Sequence, residues 1–186
     1  TRKMVEGELL QLERNFRLDI SEEDYLQICW HKTAHLFSGC GRLSAILADA
    51  DPEIEEGLAE FGRTLGMAFQ LTDDLLDYTA DPEVLGKPVL KDLEEGNVTL
   101  PVIRVLERCV PKERSFLEEV VDRREFTPAN KVRILELVDR YSALDDQRSE
   151  ALAYAEQACR SLASFPQSVY RDALLELPDL VIHRDR

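Results

Sequence analysis

Within "FQLTDDLLDYTADPEVLGKP" three carboxylates, Asp73, Asp74 and Asp77, fall inside five residues of an otherwise apolar stretch. On a helix Asp73 and Asp77 stand one turn apart on the same face, Asp74 lies beside them, and Gln70 lies one turn earlier. Three acids this close repel one another unless a cation intervenes. Hard oxygen ligands at this density suit Mg²⁺, which keeps much of its water and bridges a few carboxylates to phosphate groups. A DDxxD alone is more often a solvated acidic patch, so its neighbourhood has to carry the reading.

That neighbourhood is rich in groups suited to phosphate. Lys87, in "LGKP", follows Asp77 on a stretch able to fold back over the helix end, and "KDLEEGNVTLP" supplies Asp92, Gly96 and Thr99. A lysine is a compact point charge suited to a phosphate oxygen, although a single one is ordinarily just solvated. Upstream, "HKTAHLF" sets Lys32 and Thr33 among apolar residues. Lys32 reads either as a side chain snorkelling to solvent or as a second phosphate ligand on a helix facing the aspartates. His31 and His35 stand at i, i+4, but HxxxH lacks the glutamate of a metalloprotease helix and a third ligand, which argues against zinc.

The elements that must position these residues are helices. Apolar residues recur at three- and four-residue intervals through most of the 186 residues, with only 8 Gly and 8 Pro as punctuation. The expected architecture is all-α, one helical domain over 1–186. A first helix is expected to run to about Phe16, and a second, capped by Ser21, to about Asp49. A third starts at Pro52 and carries the aspartates. The stretch 79–97 reads as a surface loop, broken by Pro82, Gly86, Pro88 and Gly96. Thr99 is expected to cap the next helix, and further amphipathic helices follow.

Composition narrows the function. The formal charge of −14 (23 Lys and Arg, 37 Asp and Glu) disfavours nucleic acid and anionic membranes as partners, while leaving room for a local phosphate site. Four scattered cysteines read as reduced, buried thiols, which with the lack of a long apolar run predicts a cytoplasmic protein.

Taken together, "GELLQL", "KTAHLF", "GMAFQLTDDLLD", "GKP", "KDLEEGNVTLP" and "LPDLVIHRDR" resemble, in order and spacing, the C-terminal half of an all-trans polyprenyl diphosphate synthase. The combination FQxxDDxxD with GKPxxxDLxxGxxTLP is far more specific than its parts. The resemblance implies the isoprenoid synthase fold, here an incomplete helical bundle around a central cavity. It implies a prenyltransferase that condenses an allylic diphosphate with isopentenyl diphosphate after Mg²⁺-assisted ionisation, and a parent protein that is a homodimer. By the same resemblance Asp73, Asp74 and Asp77 bind magnesium, and Lys32 and Lys87 hold the allylic diphosphate. Thr33 and Gln70 lie beside the cation, Phe69 walls the site, and Gln11 belongs near the cavity.

Two departures stand out. The chain opens on Thr1, inside what reads as a helix already under way, and the family's first aspartate-rich motif is absent. Asp145 and Asp146 in "LDDQRSE" lack the third acid and the apolar frame. The expectation is therefore an absent N-terminal half and no turnover by these residues alone. Asn97 stands where many relatives carry lysine, and Ser44 where glycine is commoner. Rival readings are a class I terpene cyclase, disfavoured because no NSE-type triad follows, and a catalytically silent partner subunit.

Overall fold

The computed structural model describes residues 1–79 and 89–184, and every regular element among them is helical. The chain runs α1 (Arg2–Arg14), α2 (Glu22–Cys29), a π-helical turn (Trp30–Ala34), α3 (His35–Leu47) and α4 (Pro52–Thr79). After it come α5 (Lys91–Glu95), α6 (Leu100–Arg108), α7 (Pro111–Arg123), α8 (Pro128–Arg140), α9 (Ala143–Ser161) and α10 (Val169–Ile182). Among the described residues no helix is long and apolar enough to cross a membrane.

The 28-residue α4 is the axis, about 42 Å long at 1.5 Å per residue. Its inward stripe, including Phe61, Leu65, Met67, Leu71, Leu75 and Tyr78, is buried between α3 on one flank and α9 on the other. The α3–α4 crossing is close because glycines face backbone there. A Cβ on Gly62 would lie 2.2 Å from the Phe37 carbonyl oxygen, and one on Gly41 2.1 Å from that of Leu58. On the other flank the fully buried Gln147 of α9 donates from Nε2 to the Leu71 carbonyl at 2.7 Å.

Arg104 of α6, with a side chain only 8% exposed, binds Glu22 of α2 at 3.0 Å and also Glu150 of α9. Three helices thus share one buried cation, an arrangement in which losing any partner strands the others. Ser21 caps α2 in a reciprocal capping box with Asp24, as the sequence predicts.

Several local expectations are corrected. The first helix ends at Arg14, two residues short of Phe16, and the second reaches Leu47 near the expected end, but with a π-turn inside it that the sequence does not signal. Thr99 occupies the N-cap of α6 without capping it, because its hydroxyl is paired with Tyr78 at 2.6 Å. Residues 91–95, expected in a loop, form α5. Cys29 is buried as anticipated, but Cys40 is exposed, and Cys109 and Cys159 are half-buried; all four are free thiols.

Candidate functional site

The α4 aspartates part company once the helix is packed. Asp74 continues the buried stripe and is 6% exposed. Its Oδ2 accepts from the Tyr25 hydroxyl at 2.5 Å and its Oδ1 from Gln70 Nε2 at 2.7 Å. Asp73, one residue earlier and so rotated about 100° away, has a side chain 56% exposed and accepts from Arg184 Nη2 at 2.7 Å. Asp77 accepts from the backbone N–H groups of Lys91 (2.9 Å) and Asp92 (3.3 Å), which moors the start of α5 to α4.

The π-turn supplies the other wall. Such turns insert an extra residue into a helix and recur at functional sites. Here the turn sends Lys32 to α1, where Nζ donates to Gln11 Oε1 at 2.7 Å, and Thr33 to α4, where Oγ1 donates to Gln70 Oε1 at 2.6 Å. Gln11 in turn donates to Asn97 Oδ1 at 2.5 Å. Lys32 lies 3.5 Å from Glu8 and remains 41% exposed, so its charge is only partly spent within the chain.

These groups surround a cavity of about 220 Å³. Its polar side is Gln11, Arg14, Asn15, Lys32, Gln70, Asp73, Asp74, Asp92, Asn97 and Thr99, and its apolar side is Ile20, Tyr25, Ile28, Cys29 and Val98. Of the predicted site residues, Gln11, Lys32, Gln70, Asp73 and Asp74 therefore meet at one cavity. Thr33 reaches it through Gln70, and Asp77 through the mooring of α5. Phe69 does not line it; its ring sits 5.6 Å from that of Phe37 and under the Arg184 guanidinium at 4.1 Å. Lys87 lies outside the described residues.

Electrostatically the site is short of positive charge. Burial pushes the Asp74 carboxyl up to about 7, against the pull of its Tyr25 and Gln70 hydrogen bonds. Burial and then the neighbouring Asp92 charge push Asp77 up to about 6, with the Lys91 and Asp92 amides opposing. Burial also raises Asp92, opposed by the Asn97 hydrogen bond, with Asp73 and Glu95 adding repulsion. Clustered carboxyls that burial and mutual repulsion make weaker acids are a donor set that a hard divalent ion would fit. Among the described residues no three acidic, imidazole or thiol groups converge tightly enough to enclose an ion alone. Further oxygens, from water or a phosphate ligand, would have to complete its shell.

Sequence reasoning missed Tyr25, Asn15 and Arg184 here, and left Asp92 without a role. Asp92 carried a signal, its place in "KDLEEGNVTLP", and Asn97 beside it was noted only as a departure. Arg184, 111 residues from Asp73, has a comparable signal in its place within "LPDLVIHRDR", whereas Tyr25, 49 residues from Asp74, has none.

Residues 1–138 match the family described as polyprenyl synthetase. The octaprenyl diphosphate synthase of Escherichia coli K12 is 40% identical over 187 aligned positions, covering 98% of this chain and 56% of that protein. A short chain isoprenyl diphosphate synthase of Methanothermobacter thermautotrophicus is 34% identical over 98% of this chain. Among solved structures, a Caulobacter crescentus polyprenyl synthase complexed with calcium and isoprenyl diphosphate superposes with a TM-score of 0.92 at 41% identity, covering all of this chain and 56% of that one. A decaprenyl diphosphate synthase of Rhodobacter capsulatus gives 0.92 at 31%, covering 57% of that chain. The chain thus spans about 56% of the length of the curated relatives it matches. With the family matched over residues 1–138 and relatives 40% and 34% identical over 98% of its length, the chain belongs to the polyprenyl synthetase family.

Proposed function

We propose that this chain carries the diphosphate-binding wall of a trans-prenyltransferase, which condenses an allylic diphosphate with isopentenyl diphosphate to give a polyprenyl diphosphate. The observation that supports it most is the single cavity where Lys32, Gln11, Asp73, Asp74 and Asp92 meet. Mg²⁺, when bound, would supply charge neutralisation of the departing diphosphate. Asp73 and Asp92, with Asp77 nearby, are the carboxylates that would hold it.

The chain's own residues account for the rest. Lys32 binds a diphosphate oxygen, exchanging its Gln11 contact for the charge-assisted bond. The Thr33 hydroxyl and Gln70 carbonyl aim oxygen dipoles where positive charge develops on the allylic carbon as diphosphate leaves. The apolar side of the cavity, with Ile28 and Val98, keeps water from that carbon.

Only one aspartate-rich cluster is present in the 186 residues, so the clamp they form is one-sided. The reading therefore predicts diphosphate binding by residues 1–186 and no turnover by them alone. Titration of Mn²⁺ with inorganic diphosphate into the chain should give saturable binding that Lys32→Ala weakens about tenfold or more, the worth of a charge-assisted contact. Binding indifferent to Lys32 would refute the placement of the diphosphate, and product formation from both prenyl substrates by these residues would refute the one-sided clamp.

A further inference from the structure

Four side chains, joined by three hydrogen bonds, close a ring with the two stretches of backbone that carry them. Tyr25 donates to Asp74, Gln70 donates to the other oxygen of Asp74, and Thr33 donates to Gln70. Tyr25 and Thr33 lie eight residues apart, one before and one within the π-turn, while Gln70 and Asp74 are one turn apart on α4. Each of the four side chains is bonded within the ring, and Tyr25 (4% exposed) and Asp74 (6%) are buried.

A matched ring of this kind fixes register. A π-turn is a soft point in a helix, and the residues on either side of it can rotate relative to a neighbour. Here the helix before the turn, through Tyr25, and the turn itself, through Thr33, are pinned to the same turn of α4. Lys32 is the residue beside Thr33, and Asp73 the residue beside Asp74. Pinning the ring therefore sets the proposed diphosphate-binding cation against the proposed metal-binding carboxylate.

We propose that Tyr25 is a positioning residue for diphosphate and metal binding: its hydroxyl, by holding Asp74 and through it Gln70, keeps Lys32 and Asp73 at the separation a metal–diphosphate unit requires. Tyr25 lines the cavity, but its hydroxyl is spent on Asp74, so it acts through that carboxyl. This rests on the diphosphate-binding reading above.

The test compares Tyr25→Phe with Tyr78→Phe. Tyr78 is an equally buried tyrosine whose hydroxyl is paired with Thr99, outside the ring. Both variants lose one buried hydroxyl and should lose stability to a similar degree. Titration of Mn²⁺ with inorganic diphosphate, at a temperature where both are folded by circular dichroism, should show about tenfold weaker binding for Tyr25→Phe and little change for Tyr78→Phe. Equal binding by both variants and the wild type would overturn the positioning role and leave Tyr25 a structural residue. Absence of binding by the folded wild type would overturn both this inference and the reading beneath it. Should Tyr25→Phe fail to fold, Tyr25→Gln, which keeps a donor but moves it, takes its place with the same two outcomes.

Discussion

In the metal-free chain, Asp74 should make folding stability fall as pH rises, the reverse of what an ion-paired aspartate does. Its folded value is about 7, against an ordinary value of 3.8. Between those limits the native state holds a proton that the unfolded chain has released, so unfolding becomes easier as pH climbs through that window and levels off above it. Three units at roughly 1.4 kcal/mol each give about 4 kcal/mol. That is a large share of the roughly 5–15 kcal/mol that holds a typical domain together. Urea unfolding in the presence of chelator, at steps from about pH 5 to about pH 8, measures the slope. Asp74→Asn isolates it: the amide oxygen still accepts from Tyr25, no charge can form, and the difference between wild type and variant should shift in the variant's favour by about 3 kcal/mol between about pH 5 and about pH 8, the roughly two units of the window inside that range. Parallel curves for the two proteins would show that burial does not govern Asp74 and would refute the argument.

Other perturbations probe the frame and the rim of the site. Arg104→Ala strands Glu22 and Glu150 and should cost about 3–5 kcal/mol, read as a lowered melting temperature. Gly62→Ala places a methyl 2.2 Å from the Phe37 carbonyl oxygen, so α3 and α4 must separate; a loss of about 1–3 kcal/mol in urea unfolding is expected, and a neutral result would mean the crossing is looser than described. Arg184→Gln removes the guanidinium from the exposed Asp73, and Mn²⁺ alone should bind up to about fivefold tighter, the worth of a surface ion pair; unchanged or weaker binding would show that the ion pair does not compete with the metal for Asp73.

How much of this was legible beforehand varied with the range of the interaction responsible. Helix periodicity, the Pro52 start of α4 and the Ser21 cap are set by residues within a few positions of one another, and they were read correctly. The family could be read because its motifs are short runs whose order survives without any knowledge of packing. The failures share another origin. Thr99 has the chemistry of a cap, but Tyr78, brought alongside by folding, takes its hydroxyl. The π-turn at Trp30–Ala34 follows no local breaker in "WHKTA"; what accompanies it is the pairing of Lys32 with α1 and Thr33 with α4.

The aspartates mark that boundary most clearly. Sequence determined that three carboxylates would share one end of a helix, with a lysine-bearing helix and an acidic "KDLEEG" stretch to accompany them. It could not distinguish the three, because helical spacing makes Asp73, Asp74 and Asp77 near-equivalent. Tertiary structure separated them: packing buries Asp74 against Tyr25, leaves Asp73 facing solvent and Arg184, and turns Asp77 to the backbone of α5. Local chemistry chooses which groups are available; the desolvation and partners that decide what each one does come from chain 49 and 111 residues away for Asp74 and Asp73, and 14 for Asp77.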